Sequence, residues 1–236
     1  MLDPWAFTSH GALNVSETIS INTDTLELTG GVSYSGVVDP VSGAGIFAFD
    51  DITGANLSIF GARTLGLLSR GNIAFTGTID LLGSGGLDMV SSGSMTLANL
   101  RTGGGGGTVS LVANQINLGG TVDAGNRPLQ VSAAEPINLS SEIGSADVSL
   151  SGRSGLTLTT GAGISSRSVS LGSGIVTLTG GTISGSTNSG VITVSSTGEI
   201  VGSPGVTLVT PVPVPAAFLL FATGLAALGL IQRRTA

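Results

Sequence analysis

The fold is decided by a pattern that occurs twice in residues 109–143, VSLVANQINLGGTVDAGNRPLQVSAAEPINLSSEI. Each copy contains two apolar-polar-apolar triplets, which begin seven or eight residues apart, and then a single apolar residue. In the first copy these are Val109-Ser110-Leu111, Ile116-Asn117-Leu118 and Val122. Because residues i and i+2 of a strand point to the same side, each triplet directs two apolar side chains inward and one small polar side chain outward.

The same unit extends in both directions from this stretch. Its copies begin at residues 65, 87, 109, 129, 148, 169 and 192, at intervals of 19 to 23 residues. Three inward-pointing sites, separated by Gly, Ser, Asn or Asp corners, describe one turn of a three-sided coil. A single coil cannot bury its own interior, but stacked coils cover one another. The sequence therefore predicts an all-β fold, a parallel β-helix (β-solenoid) with coils of about 20 residues over residues 61–210.

The composition agrees with a β-rich fold that has many turns. The chain has 39 Gly, 9% charged residues and a mean hydropathy of +0.49. Gly and β-branched residues disfavour long helices, and the apolar content is too high for a disordered chain. The run from Gly103 to Gly107 predicts a loop between two coils. Residues 1–60 alternate only in places and hold six aromatic residues, so we expect an irregular, β-rich N-terminal segment that caps the solenoid or is the tail of a larger array of coils.

The charge distribution excludes some classes of partner and site. All eight basic residues are Arg, against 14 acidic residues, and the net charge is −6. Nucleic-acid binding needs clustered Lys and Arg to neutralise phosphates, so no nucleic-acid partner is predicted. The absence of Cys excludes disulfides and thiolate metal sites.

Residues 211–236 differ from everything upstream. Alternating Pro and Val, ending in Val212-Pro213-Val214-Pro215, favour an extended linker. Residues 216–231 carry no charge, and Arg233 and Arg234 follow them. As a helix this stretch would span about 24 Å, against about 30 Å for a hydrocarbon core. The sequence predicts a single C-terminal transmembrane helix with a cytoplasmic C-terminus. The alternative, a buried helix, is disfavoured because a helix that is apolar on all faces has no groove to occupy in a solenoid.

This tail resembles the PEP-CTERM sorting signal, in which a Pro-Glu-Pro motif, a transmembrane helix and a basic cluster are recognised by an exosortase. Pro213 and Pro215 match the two prolines of the motif, and Val214 stands where the family has Glu. Val212 precedes them, and Arg233 and Arg234 match the basic cluster. The resemblance implies sorting at the inner membrane of a Gram-negative bacterium, processing by an exosortase-type enzyme, and association with exopolysaccharide or biofilm.

The solenoid body is similar to the parallel β-helices of filamentous-haemagglutinin-type adhesins and autotransporter passengers. The similarity is clearest from Leu65 to Asp80, and it concerns the fold more than the function. The first residues show no basic region followed by an apolar region, so no secretory signal peptide is visible. For an exported protein we therefore expect the reading frame to extend upstream of Met1, or the chain to be a fragment.

Few side chains are suited to catalysis or metal binding. His10 is the only histidine, and nothing near it completes a Ser-His-Asp arrangement or a zinc site. Asp50 and Asp51 are adjacent, so on a strand they would point to opposite faces. Asp80 and Asp123 both follow the third apolar position of a unit, which predicts that they lie on one side of the solenoid, two coils apart, as corner residues.

The Gly-rich stretches also fall short of known ligand motifs. Gly85-Gly86-Leu87-Asp88 has only part of the Gly-Gly-x-Gly-x-Asp calcium repeat and does not recur. No Lys follows a Gly-rich run, as a phosphate loop would require. No cofactor, metal or catalytic residue is predicted.

These observations predict a non-enzymatic protein of the cell surface or extracellular matrix. Residues 1–60 form the N-terminal segment, 61–210 the solenoid and 211–236 the sorting signal. Its expected partners are the membrane, an exosortase-type enzyme and exopolysaccharide. Two alternatives remain: a polysaccharide-acting enzyme on a β-helix, and the C-terminal fragment of a larger adhesin whose binding end lies upstream of Met1.

Overall fold

The computed structural model describes residues 2–209, except for residues 104, 141, 153–155, 159–162, 174–175, 179–180, 186–190, 197–199 and 203–205. Within them the chain begins with one 3-10 turn, Pro4–Ala6, and then forms 23 strands that belong to one continuous sheet. This sheet winds around itself as a three-sided β-solenoid, as the sequence predicts.

Each side of the solenoid is a ladder of parallel strands, one from every coil. Face A consists of β5 (Gly45–Phe49), β7 (Leu65–Ser69), β9 (Leu87–Ser91), β11 (Val109–Ala113), β14 (Leu129–Ala133), the second halves of β16 (Glu142–Gly152) and β18 (Gly163–Ser173), and β21 (Val191–Ser196). Face B consists of the first halves of β1 (Leu13–Asn22), β6 (Ile52–Phe60), β8 (Ile73–Leu81) and β10 (Ser94–Thr102), and then β12 (Gln115–Leu118), β15 (Ile137–Leu139), β17 (Leu156–Leu158), β19 (Val176–Leu178) and β22 (Ile200–Gly202). Face C consists of the second halves of β1, β6, β8 and β10, then β13 (Thr121–Asp123), the first halves of β16 and β18, β20 (Gly181–Gly185) and β23 (Val206–Val209).

The predicted register of the coils is confirmed. On face A the paired positions are Leu65, Leu87, Val109, Leu129, Val148, Val169 and Ile192, in that order. These are the first residues of the seven units predicted from the sequence. Inward apolar pairs can face each other across coils in only one register, since a slip by one residue would turn every side chain to the other side.

The inward side chains form one continuous core along the solenoid axis. Within the part of the chain whose burial is described, the apolar members of the triplets are almost fully buried. On face B a small residue in one coil lies against a large residue in the next, since Gly54 is the register partner of Phe75. A Cβ at Gly54 would lie 2.6 Å from Cε1 of Phe75, so the glycine leaves the room that the ring fills.

Asn and Asp side chains at the corners connect one coil to the next. The Asn56 side-chain oxygen accepts a hydrogen bond of 2.9 Å from the backbone N–H of Thr78, one coil later. Gly77 precedes Thr78, and a Cβ there would collide with the Asn56 side chain. The same arrangement joins Asn99 to Thr121, Asp51 to Asn72, and Asn72 to Ser94. Backbone donors that would be left open at the corners are thus satisfied by the neighbouring coil.

Parallel stacking continues into the segment predicted as an irregular cap, residues 1–60. β5 and β6 form a complete coil, and β1 supplies two faces of another. On face A, residues Gly45-Ile46-Phe47 of this coil pair with the triplet Leu65-Gly66-Leu67, and the rings of Phe47 and Phe49 are fully buried. Because Gly45 stands where later coils have Leu or Val, this coil is not visible as a copy of the repeat.

The first coil is covered by a hairpin that departs from the parallel pattern. β2 (Glu27–Thr29) pairs antiparallel with the end of β1, and β3 (Ser33–Ser35) pairs antiparallel with β2. Leu28 of β2 is fully buried in the core, and Tyr34 packs against it. β4 (Val37–Val38) pairs antiparallel with β5. The open apolar end of the first coil is therefore closed by the chain's own residues.

Among the residues that the structure describes, no helix is both long enough and apolar enough to cross a lipid bilayer. The transmembrane helix predicted over residues 216–231 lies outside these residues.

The inward and outward assignment can be tested at one strand. We expect Leu150→Asp to lower the free energy of unfolding by roughly 3 kcal/mol or more, because it places an unpaired charge in the core. Leu150 is 1% exposed, whereas its neighbour Ser149 points outward and is exposed. Ser149→Asp should change stability by less than about 0.5 kcal/mol. Urea unfolding followed by circular dichroism gives both values, and equal effects would contradict the assignment.

Candidate functional site

The predicted sorting residues, Val212, Pro213, Val214, Pro215, Arg233 and Arg234, lie outside the described residues. The structure therefore bears on function through the solenoid body and the segment before it.

Within the described ranges, no group of three His, Cys, Asp or Glu residues could hold a metal ion. His10 is exposed, and its ring packs against Tyr34 and Phe49 at centroid distances of 5.0 and 5.5 Å. Tyr34 and Phe49 also contact each other edge-on at 5.4 Å. The ring of His10 is thus one member of an aromatic cluster beside the capped end.

Asp80 and Asp123 lie on face C two coils apart, as the sequence predicts. Arg101 is the register partner of both and stands between them. Adjacent strands are about 4.8 Å apart, so the Cα atoms of the two Asp residues are separated by about 10 Å. Glycoside hydrolysis needs two carboxyl groups with open space between them for sugar or water. Here Arg101 occupies the row between the two carboxylates.

The Gly-rich loops before face A surround a buried arginine. Arg127 is fully buried, and its guanidinium donates hydrogen bonds to the backbone carbonyls of Gly85 and of Gly83, the latter at 2.7 Å. A Cβ at Gly105 would collide with the guanidinium. Burial lowers the pKa of Arg127 through desolvation, although an arginine remains protonated in proteins. The glycines of these loops therefore make room for a structural cation, which the sequence pattern did not reveal.

Residues 2–11, here called the N-terminal strap, lie on the outer surface of face A. Leu2 and Phe7 pack against a row of buried, outward-pointing apolar residues, Ile46, Ala48, Leu68 and Val90. The sequence carries a signal for this surface, because an apolar residue follows the triplet directly at Leu68, Val90 and Val112. In the later coils the paired positions are Ser132 and Ser151. The apolar part of the outer surface is thus confined to the coils nearest the strap.

Backbone hydrogen bonds fix the end of the strap. The N–H of His10 donates to the carbonyl of Ala48 at 2.9 Å, and the N–H of Asp50 donates to the carbonyl of Gly11 at 2.8 Å. Gly11 has a φ of +86°, a conformation that residues other than glycine adopt only with strain. The chain then turns into β1, where the N–H of Leu13 donates to the carbonyl of Asp51.

Arg70 holds the middle of the strap. Its Nη2 donates a hydrogen bond of 2.9 Å to the carbonyl of Phe7, and its Nη1 lies 3.6 Å from the Asp50 carboxylate. Its guanidinium carbon lies 5.0 Å from the ring centroid of Trp5, in a cation–π contact. Trp5 is 64% exposed, and its backbone N–H donates to the carboxylate of Asp3 at 2.9 Å. We call this group of Asp3, Trp5, Asp50 and Arg70 the Trp5 corner.

Asp88 is a half-buried carboxylate on the outer surface of face A. Its register partners are Gly66, over which the side chain of Leu2 lies, and Ser110. Desolvation by burial raises the pKa of the Asp88 carboxyl above its usual value. An ionised Asp88 therefore destabilises the folded protein relative to a protonated one.

No known protein family matches this chain, and no curated protein or solved structure is significantly similar to it. What the chain does is therefore inferred from its own residues.

The raised pKa of Asp88 predicts a pH-dependent stability. The folded state binds the proton more tightly than the unfolded state, so Asp88's contribution to stability is full below about pH 4 and is lost as pH rises through the folded-state pKa. We expect Asp88→Asn to raise the free energy of unfolding at pH 7 and to have little effect at pH 3. Asp123→Asn, at an exposed position, is the matched control and should change neither value. Urea unfolding at both pH values measures this, and a stabilisation equal at pH 3 and pH 7 would contradict it.

Removal of the Arg70 guanidinium should release the strap. We expect Arg70→Met to speed hydrogen exchange at the His10 amide by roughly tenfold or more, because hydrogen bonds to charged groups contribute about 1.5–3 kcal/mol. Arg101→Met removes an exposed arginine from face C and serves as the control. Exchange measured by NMR or mass spectrometry reports on both. Unchanged protection of the strap in Arg70→Met would show that Arg70 does not hold it.

Proposed function

We propose that this chain is an exported, non-enzymatic protein of the bacterial cell surface or extracellular matrix, addressed by its C-terminal sorting signal. The observation that carries the proposal is that one chain combines two different parts. The first is a β-solenoid body, and the second is a Pro-Val linker followed by an uncharged stretch and Arg233-Arg234. The first part is suited to projecting a surface into the surroundings. The second is suited to insertion into a membrane and to recognition by an exosortase-type enzyme.

The body has the properties of a stiff spacer. Its strands stack as parallel ladders, and face B alone contains nine strands between Leu13 and Gly202. At about 4.8 Å per strand this stack is about 40 Å long. From Leu13 to Ile164 the inward positions form one apolar core, so bending this part of the stack would expose core residues to water. Such a rod holds whatever lies at its capped end at a fixed distance from the last described coil.

A role without catalysis is supported by how the polar residues are used. Asn and Asp at the corners satisfy backbone donors of the next coil. Arg127 binds loop carbonyls, and Arg101 separates Asp80 from Asp123. The corner residues and Arg127 therefore have structural tasks that a catalytic role would disrupt.

The localisation follows from the tail. An apolar helix over residues 216–231 would insert in the inner membrane, with Arg233 and Arg234 on the cytoplasmic side. The body would then stand on the opposite side of the membrane. Cleavage near Pro213 and Pro215 by an exosortase-type enzyme would transfer it to the cell surface or matrix of a Gram-negative bacterium, in contact with exopolysaccharide.

The proposal is tested by separating the anchor from the motif. A chain that ends at Thr210 should leave the membrane fraction, because it lacks the apolar stretch. Replacing Pro213 and Pro215 by Ala keeps that stretch, so this variant should remain in membranes but should not be shortened by an exosortase-bearing host. Fractionation and mass measurement of the product report both effects. If the chain that ends at Thr210 still sediments with membranes, the tail is not the anchor.

A further inference from the structure

We propose that the Trp5 corner binds a neutral saccharide chain. This inference rests on the proposed function, in which the capped end of the solenoid meets extracellular polymer, and it names the site and the ligand class. The juxtaposition that carries it is an exposed indole against a guanidinium that also lies beside a carboxylate.

The indole of Trp5 is unusual in its exposure. Trp5 is 64% exposed and is the only tryptophan of the chain. Among the described residues the other large rings of the N-terminal region are mostly packed, and Phe47 and Phe49 are fully buried. A large aromatic side chain that stays in water is a frequent feature of interaction sites, because it offers contact area and a polar edge together.

The indole is contacted on one face while most of the residue stays exposed. Trp5 lies in the short turn Pro4–Ala6, where Pro4 is buried and the Asp3 carboxylate accepts the backbone N–H of Trp5. The Arg70 guanidinium stacks on the ring at 5.0 Å and is itself fixed by the Phe7 carbonyl and the Asp50 carboxylate. A site that is already ordered loses little conformational entropy when it binds a ligand.

The charged groups on one side of the ring remain accessible to solvent. The Asp50 side chain is 54% exposed and offers acceptor oxygens, and the Arg70 side chain is 27% exposed and offers N–H donors. A pyranose ring has an apolar C–H face that is bordered by hydroxyl groups. Such a ring can stack on the indole face that Arg70 leaves open, and hydroxyls of the next sugar along the chain can extend past the indole edge to the carboxylate and the guanidinium, since hydrogen bonds to charged groups are the stronger ones.

The local charge selects a neutral ligand. Asp3 and Asp50 carry two negative charges against the one positive charge of Arg70. A polymer of uronic acids would be repelled, and so would an anionic lipid surface, which attracts basic segments. A globular protein partner would need about 800 Å² of matching surface, whereas a single indole with a polar border offers only a small platform. A neutral saccharide fits both the size and the charge.

The test uses the full chain, purified in a detergent whose headgroup is not a sugar, and the fluorescence of its single tryptophan. The probes are hexasaccharides of glucose, galactose and mannose. We expect at least one of these neutral sugars to give a saturable change in Trp5 emission. By calorimetry, Trp5→Ala should bind that sugar about tenfold more weakly or worse, and Trp5→Phe should retain part of the affinity. Val41→Ala, at an apolar position that is 93% exposed, should bind like the unaltered chain.

Three results would overturn the site. One is no saturable change with any of the three neutral sugars. Another is tighter binding of a galacturonate hexasaccharide, which would contradict the charge argument. The third is a blue shift of Trp5 emission with phosphatidylcholine vesicles and none with sugars, which would assign the corner to a lipid surface. Circular dichroism shows whether each variant is folded.

The saccharide site and the proposed function can each fail without the other. If the protein reaches the cell surface but binds none of the sugars, the saccharide site is wrong and the sorting proposal stands. If it binds a sugar through Trp5 but remains in the cytosol, the site stands and the sorting proposal is wrong.

Discussion

Every coil of this protein is stable only because the next coil covers its open side. The inward residues of one coil would be half in water if the coil stood alone, and no coil contains a second layer to cover them. Face A shows the solution, since Leu87 lies between Leu65 and Val109 in register, and Leu87 and Leu65 are fully buried. This dependence forces parallel stacking, a fixed register and small residues at the corners, because a bulky corner would separate neighbouring coils.

The same dependence creates a problem at the ends and on the outer surface, where stacking stops. At the N-terminal end, the hairpin of β2 and β3 covers the first coil, and its Leu28 is buried in the core. On the outer surface of face A, the strap covers Leu68 and Val90, which no coil can bury because they point outward. These two coverings are made by residues outside the repeat, and they bring Trp5, His10 and Arg70 to one end of the rod. The part of the molecule with the most varied chemistry is therefore the part where the repeat needs protection from water.

The register of the coils could be predicted, whereas the strap, the buried arginine and the Trp5 corner could not. The repeat can be recognised from short stretches of sequence. The alternation within each triplet shows which side chains point inward, and the interval between units shows which residues pair across coils. The strap depends on contacts such as that between Phe7 and Arg70, which are 63 residues apart. Arg127 and Gly83 are 44 residues apart, or two coils. Neither pair leaves a periodic trace, since each contact is made once and its residues resemble ordinary loop residues. The coil at residues 45–60 was hidden for another reason, because Gly45 and Gly54 stand at inward positions where the next coil has Leu65 and Phe75.

The sequence by itself determined the β-solenoid, its inward residues and its register, because two-residue alternation and a recurring interval leave only one way to bury the apolar side chains. It also carries the tail features on which the sorting proposal depends. The tertiary structure alone decided which outward apolar residues are covered, where the only buried arginine among the described side chains binds, and that Trp5 remains exposed beside Arg70 and Asp50. The physical reason is that these properties depend on which distant segment lies over a given face, and packing between segments without a repeat is settled only when the whole chain has folded.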